Sequence, residues 1–233
     1  MFTPIGNPQN LYLYSISGMS MGEFLKLMFP YTALSFVLLV IAIYFVDNEP
    51  FGGSRSHFPE GKISKAPLVI YIALFLLCIL TVFYVVDYRI MLAVVIVTIF
   101  IMNKQLLLKA DYILLLTFIA FFVFIGNMKN IQVISDFLGS VVNNREVYVS
   151  VAASQLVSNV PAAMLLSGFT TNYQRLIIGT NIRGLGTIIA SMASLISYKF
   201  YCKISGSNQK MYMMKFTVVN LLFLAILLCF YMI

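Results

Sequence analysis

Residues Ser154–Leu166 read SQLVSNVPAAMLL, a polar step in the middle of an apolar segment. The apolar runs on its two sides hold 11 and 10 residues. Neither run can cross a bilayer alone, because a spanning helix needs about 20 residues. Pro161 lacks a backbone donor and disfavours helix at the preceding residue, while Ser158 and Asn159 bring side-chain oxygens to the break. The segment is therefore either one kinked helix, whose polar side chains bond its own carbonyls, or a re-entrant hairpin.

The composition of the whole chain is that of a membrane protein. Of its 233 residues, 61% are hydrophobic and 10% are charged, and the mean hydropathy is +0.95. A soluble domain carries about 25% charged residues, and a disordered chain needs low hydrophobicity, so both classes are excluded. The net charge of +7 comes from basic residues between apolar runs, which indicates membrane topology rather than nucleic-acid binding. We expect an all-α, multi-pass protein of the bacterial plasma membrane.

Further apolar runs predict the other membrane helices. They cover residues 24–46, 67–86, 90–102, 112–126, 176–198 and 212–233. The third of these runs has 13 residues, so we expect it to be short, tilted or partly buried in protein. A polar linker over residues 47–66 is expected on the cytoplasmic side.

The basic residues distinguish the hairpin from the kinked helix. If the segment returns to the side it entered from, the inner loops hold Arg55, Lys62, Lys65, Lys104, Lys109, Lys199, Lys203 and Lys210, and the outer loops hold Arg89, Lys129, Arg145 and Arg175. Such an excess of basic residues inside is the usual orientation rule of membrane proteins. A single crossing makes the two sides equal. The charge pattern therefore favours a re-entrant hairpin, over about residues 132–170.

Two stretches of the chain are similar to each other. Thr3–Leu11 reads TPIGNPQNL and Thr187–Leu195 reads TIIASMASL, and each precedes an apolar run with an early lysine, Lys26 or Lys215. A match this short also arises by chance in so apolar a chain, but the similar apolar run that follows each stretch argues against chance. The charge pattern gives the two runs opposite directions. Inverted repeats with interrupted helices are typical of secondary transporters.

A second polar constellation lies in Gly179–Thr187, which reads GTNIRGLGT. Three glycines make a poor helix and predict an unwound binding segment that includes Thr180 and Asn181; close packing of small residues is the alternative. Arg183 is the one charge deep within this run. Such a residue is a functional candidate, with snorkelling or a tolerated substitution as the alternatives.

Taken in order, these motifs resemble the ion transporter superfamily. The resemblance is closest to its citrate-transporter-like permeases, related to arsenite permeases and divalent anion:sodium symporters, and it covers essentially all of the chain. It implies two inverted repeats, each with a re-entrant hairpin and a broken helix, around a central site for substrate and Na⁺. By position, the resemblance implies binding roles for three regions. The tip of the second hairpin contains Ser158, Asn159 and Pro161, and the break in the second broken helix contains Gly184, Gly186, Thr187 and Ser191. The break in the first broken helix contains Gly6, Asn7 and Pro8, to which we add Asn10.

Two departures from the family pattern matter. Arg183 stands where the family usually has a small residue, so a substrate role for it is our inference. The hairpin and spans that precede the first break are missing, since Met1 falls just before that break. We therefore expect residues 1–46 to end a first repeat and residues 67–233 to form a second, in a truncated, fragmentary or split transporter.

The resulting prediction is a secondary transporter of small anions that works by alternating access, with Na⁺ as the expected coupling ion. The anion is a di- or tricarboxylate or an inorganic oxyanion. Expected partners are the bilayer, the anion, and either a missing N-terminal half or a second copy. The alternative is a fragment that does not transport.

No enzymatic site, resident metal or cofactor is expected. A membrane enzyme requires clustered His, Asp, Glu, Ser or Cys at a membrane edge, and the sequence offers no such cluster. The three cysteines are scattered and are predicted to be apolar fillers, and His57 is predicted to lie in a solvated loop. No acidic residue is predicted deep in a span, which argues against a carboxylate proton relay.

Overall fold

The computed structural model describes residues 1–45, 65–155, 159–186, 192–203 and 208–232. These ranges contain helices and no strand. A short 3₁₀ turn, Pro4–Gly6, comes first. The α-helices are α1 Pro8–Ser17, α2 Met21–Tyr44, α3 Lys65–Val82, α4 Tyr88–Leu108, α5 Tyr112–Asn130, α6 Gln132–Val142, α7 Glu146–Ser154, α8 Asn159–Ser167, α9 Tyr173–Ile182, α10 Met192–Cys202 and α11 Gln209–Met232.

Four of the described helices, α2, α4, α5 and α11, are long and apolar enough to cross a membrane. Large apolar side chains point outward from them, for example Phe36, Phe100 and Leu222. Such faces are unfavourable in water but suit lipid, where a helix satisfies its own backbone groups. The predicted class, an all-α polytopic membrane protein, is confirmed.

Local signals set the bounds of α2. Ser20 Oγ accepts a hydrogen bond from Glu23 N, and Ser20 N donates to Glu23 Oε2 at 2.7 Å, which together form a capping box. Gly18 adopts a φ of +67° and ends α1 just before this cap. The helix continues through Pro30, so the predicted run is one helix as far as Tyr44, and its last residue lies outside the described residues.

Helix α4 is longer than its apolar run. The run predicts 13 residues, whereas α4 extends over 21, from Tyr88 to Leu108. The backbone leaves helical geometry at Asn103, directly after the last apolar residue of the run. Asn103 Oδ1 accepts from Gln105 N at 3.2 Å, so a polar side chain restarts the helix. The prediction of a short helix is therefore wrong, although the regular part of α4 ends where the run ends.

The chain forms two compact units, one of residues 1–45 and 115–233 and the other of residues 46–114. In the second unit, α3 packs against α4. In the first unit, the core lies among the short helices α1, α7, α8 and α9, which hold most of the fully buried side chains. The division into repeats remains a prediction.

The closest helix packing in this core is between α7 and α9. A Cβ at Gly179 would overlap Ser150 Oγ and lie 2.7 Å from Val147 Cα, so only glycine permits this approach of the two backbones. Helix α9 continues through Gly179, Thr180 and Asn181 to Ile182. The prediction that the segment is unwound from Gly179 onward is therefore wrong for its first four residues, because packing against α7 stabilises the helix there.

The two arms of the predicted hairpin are α7 and α8, which pack against each other. Thr170 Oγ1, just after α8, donates to Glu146 Oε1, at the start of α7, at 3.0 Å. The two ends of this segment therefore lie side by side, which favours a helical hairpin over a single kinked helix; its re-entrant topology in the membrane remains a prediction. Within the expected range of about residues 132–170, α6 precedes the two arms.

Candidate functional site

Three asparagines connect the first break to α9. Asn7 Oδ1 accepts from Asn10 N at 2.8 Å and caps α1. Asn181 Nδ2 donates to Asn10 Oδ1 at 2.6 Å, and Asn10 Nδ2 returns a bond to Asn181 Oδ1 at 3.1 Å. Asn7 Nδ2 lies 3.4 Å from the same oxygen. The structure therefore brings together side chains from two motifs that are 171 residues or more apart.

The first break is compact around Asn10, whose side chain is fully buried. Asn10 Nδ2 also lies 3.2 Å from the carbonyl oxygen of Met1 and 3.4 Å from that of Thr3. Gly6 ends the 3₁₀ turn and Pro8 opens α1, where a missing backbone donor costs nothing. Gly6, Asn7, Pro8 and Asn10 thus form one corner, and Asn7 and Asn10 meet α9 directly.

Arg183 caps the C-terminus of α9, where its backbone N donates to Gly179 O at 3.0 Å. Its side chain is fully buried within the protein, while its depth in the membrane and its role remain predictions. Thr180 is also buried, but its hydroxyl donates to Ile177 O at 3.0 Å within α9. This bond favours a packing role for Thr180 over a binding role.

The second break begins at Arg183 and continues through Gly184, Leu185 and Gly186. Gly186 has a φ of +118°, a conformation that favours glycine. A Cβ there would lie 2.8 Å from Gln155 Oε1, and Gln155 Nε2 lies 3.5 Å from Leu185 O. The first arm of the hairpin therefore contacts the second break through Gln155.

Gln155 was not predicted as a site residue. It lies within the quoted stretch SQLVSNVP, three positions before Ser158. The signal in the sequence is that Gln155 is a further polar side chain close to Ser158 and Asn159. The sequence alone does not reveal which side chain fills the space beside a glycine.

The hairpin tip is described only on its second arm. Helix α8 begins at Asn159, and Pro161 lies half-buried in its first turn, where proline is tolerated. The partial positive charge of a helix N-terminus therefore lies at this tip. Ser158, Thr187 and Ser191, together with the side chain of Asn159, lie outside the described residues.

A buried carboxylate closes the base of the hairpin. The side chain of Glu146 is 2% exposed; its Oε1 accepts from Thr170, and its Oε2 lies 3.9 Å from Nη1 of Arg175, which is 41% exposed. Arg175 Nη1 also donates to Asn144 Oδ1 at 3.2 Å. The returning chain therefore buries a glutamate that the sequence places at a loop, whereas the prediction that no acidic residue lies deep in a span is not affected, because Glu146 is at the start of α7.

A second link joins α1 to the hairpin. The hydroxyl oxygens of Tyr12 and Ser167 are 2.9 Å apart, and Ser167 Oγ donates to Met164 O at 2.7 Å, so Tyr12 is the donor to Ser167. Helix α1 is therefore bonded both to α9 and to α8.

A cavity of about 720 Å³ opens at the hairpin base, and its lining includes Ser167, Glu146 and Lys129.

Known proteins resemble this chain over most of its length. The citrate transporter family matches residues 1–179. The uncharacterised transporter MJ0456 of Methanocaldococcus jannaschii is 34% identical over 200 residues, which are 84% of this chain and 53% of that protein. The inner membrane protein YbiR of Escherichia coli is 26% identical over 205 residues, which are 85% of this chain and 54% of that protein. No solved structure matches at a significant level.

The chain thus spans about half the length of the curated relatives it matches. Its membrane-length helices and the match over residues 1–179 agree with each other. This multi-pass integral membrane protein belongs to the citrate transporter family.

Proposed function

We propose that this chain forms part of a secondary active transporter that carries a small anion by alternating access, with Na⁺ as the coupling ion. The observation that carries the proposal is the contact of Asn7 and Asn10 with Asn181, where the first break meets α9. Broken helices that meet at one point are where secondary transporters hold their substrates. The anion is a di- or tricarboxylate or an inorganic oxyanion, and the membrane is a bacterial plasma membrane.

The chemistry of this junction suits an oxygen anion. Its described side chains are the three carboxamides and the guanidinium of Arg183, two residues beyond Asn181. Amide and guanidinium N–H groups donate to carboxylate and phosphate-like oxygens, and the guanidinium does so with two parallel bonds. The amide oxygens are suitable ligands for Na⁺. Burial strengthens both interactions, because water does not screen them.

We further propose that the junction binds the anion by itself and that a second segment, either an N-terminal half or another copy of the chain, completes the transport pathway. The lengths of the relatives support this proposal, since the matched region is about half of each. The hairpin tip would then face its counterpart from the other repeat. A fragment that does not transport is the competing function, and it predicts no ligand binding.

Ligand binding by the purified chain tests the proposal. An anion that binds only the folded chain raises its melting temperature, so we would record melting curves with citrate, succinate, phosphate and sulfate, in NaCl and in choline chloride. We expect at least one anion to stabilise the chain more in Na⁺. Asn181→Asp places a negative charge at the junction and should weaken that anion about 10- to 100-fold, since a charge-assisted bond is worth about 1.5–3 kcal/mol.

Asn130→Asp is the matched control, because Asn130 ends α5 and is exposed. It should bind the anion like the unchanged chain. The proposal fails if none of the four anions shifts the melting temperature, or if Asn181→Asp and Asn130→Asp bind it equally well.

A further inference from the structure

One face of the membrane-length helix α5 changes from apolar to basic along its length. Phe118, Phe122, Ile125 and Lys129 follow one another at spacings of four, three and four residues, so they form a single stripe on the helix. Lys129 lies in the last turn of α5. The stripe is about 16 Å long, because each helical residue adds about 1.5 Å.

The basic end of this stripe rests against the end of α8. A Cβ at Gly168, directly after α8, would lie 2.9 Å from Ile125 Cγ2 and 3.0 Å from Lys129 Cε. The missing side chain of Gly168 therefore makes room for the apolar stem of Lys129. The lysine itself is exposed, and no ion pair among the described residues includes it, so its ammonium group is available to an anionic partner.

The apolar end of the stripe borders a cleft of about 260 Å³ between α1, α5 and α8. Phe118 and Phe122 line it from α5, and Val160 and Met164 line it from α8. The rings of Phe122 and Tyr12 lie 5.5 Å apart, from α5 and α1. Phe122 is 48% exposed, so the cleft opens onto the outer surface of α5. Water has few polar partners in such a cleft, whereas hydrocarbon suits it.

The length of the stripe is that of one lipid. The hydrocarbon core of a bilayer is about 30 Å thick, so one leaflet is about 15 Å thick. We propose that α5 carries a phospholipid site, in which Lys129 binds the phosphate and the cleft beside Phe118 and Phe122 holds an acyl chain. The chain would also contact Tyr12, whose hydroxyl bonds Ser167. This proposal does not depend on the proposed anion site.

A lipid fits these features better than another protein segment does. A helix with its side chains is about 10–12 Å across, so it could cover a cleft of about 260 Å³ but could not fill it. A phospholipid brings both a flexible apolar chain and a negative charge, in the order in which α5 presents them. Basic positions at the ends of membrane helices commonly bind such head groups.

Tryptophan fluorescence tests the proposal, because the chain has no tryptophan of its own. Phe118→Trp places a single reporter in the cleft, and Phe36→Trp is the matched control, since Phe36 is an exposed residue of α2. Each purified variant would be titrated in detergent with phosphatidylglycerol that carries bromine on its acyl chains and quenches a tryptophan it touches. We expect saturable quenching of Phe118→Trp at a few lipids per chain, reversed by unbrominated phosphatidylglycerol. Quenching of Phe36→Trp should rise only with the lipid fraction of the micelle.

The head-group contact is tested in the Phe118→Trp background. Lys129→Gln should raise the apparent dissociation constant of the brominated lipid about threefold, as expected for an exposed ion pair. Lys215→Gln is the matched control, since Lys215 is exposed on α11, and it should leave the constant unchanged. Equal constants in Lys129→Gln and Lys215→Gln would overturn the binding of phosphate by Lys129.

Two other results overturn the site as a whole. If Phe118→Trp and Phe36→Trp are quenched alike, the cleft holds no particular lipid. If Phe118→Trp is protected at every lipid ratio and the chain elutes as a dimer, a second copy covers the cleft instead. Should Phe118→Trp fail to fold, Leu11→Trp places the reporter on the α1 wall of the same cleft, and the same outcomes decide.

Discussion

Replacing Gly179 with alanine puts a methyl group where α7 and α9 approach each other most closely. The new Cβ would lie 2.7 Å from Val147 Cα, whereas ordinary contacts are 3.4–4 Å. Val147 Cα is backbone, so α7 itself must move outward by about 0.7–1.3 Å in a densely packed interior. Overpacking of this kind costs about 1–3 kcal/mol, against about 1 kcal/mol gained when alanine replaces glycine in a helix.

We therefore expect Gly179→Ala to lower the free energy of unfolding by up to about 2 kcal/mol. Gly126→Ala is the matched control, since Gly126 lies inside α5 and a Cβ there meets nothing within 4 Å. This control should gain up to about 1 kcal/mol. Unfolding by titration with a denaturing detergent, followed by circular dichroism, measures both variants.

A second substitution separates the two clashes at Gly179. The methyl group also overlaps Ser150 Oγ, and Ser150→Ala removes this atom but not Val147 Cα. The double variant Gly179→Ala/Ser150→Ala should therefore recover only part of the lost stability. If Gly179→Ala is as stable as Gly126→Ala, the close approach of α7 and α9 is not a constraint and the reasoning is refuted.

Two further predictions concern topology and the hairpin base. In a background without the native cysteines, Asn143→Cys and Asn172→Cys should react with an impermeant maleimide from one side and Gln209→Cys from the other; reaction of Asn143→Cys and Asn172→Cys from opposite sides would contradict the hairpin. Glu146→Ala should cost about 1–3 kcal/mol of unfolding free energy, because Thr170 loses its acceptor, whereas Glu146→Gln keeps an acceptor oxygen and should cost less. The loss of unfolding free energy must differ between Glu146→Ala and Glu146→Gln, and exposed Asp136→Ala must lose less than Glu146→Ala. Either result to the contrary would show that the bond to Thr170 does not stabilise the hairpin base.

The long helices could be predicted because their signal is local. A run such as residues 24–46 is apolar throughout, and in a bilayer that composition leaves helix as the stable choice. The hairpin followed from charge balance and from the polar step at Ser158 and Asn159. Helix α4 extended beyond its run because Asn103 restarts the helix with a side-chain bond, which apolar run length does not register.

Site residues were predictable where a motif contained them and not where packing created them. Asn7, Asn10 and Asn181 lie in quoted motifs, but their mutual contact required the fold. The sequence predicts Gly179 in an unwound segment, because a glycine that weakens a helix and a glycine that allows helices to touch look alike in sequence. Glu146 follows Arg145 and reads as a loop residue, and only the returning chain at Thr170 buries it.

The short arms of the hairpin also bear on how the protein is assembled in the membrane. Helices α7 and α8 have nine residues each, so neither can remain in lipid as an independent span. Their neighbours are α9, which is synthesised after them, and α1, which is synthesised well over a hundred residues earlier. Insertion of the long helices can therefore proceed one by one during translation, whereas the hairpin can settle only when α9 has emerged and α1 has come back to meet it. The junction of α1, α8 and α9 can therefore form only after segments from both ends of the chain have met.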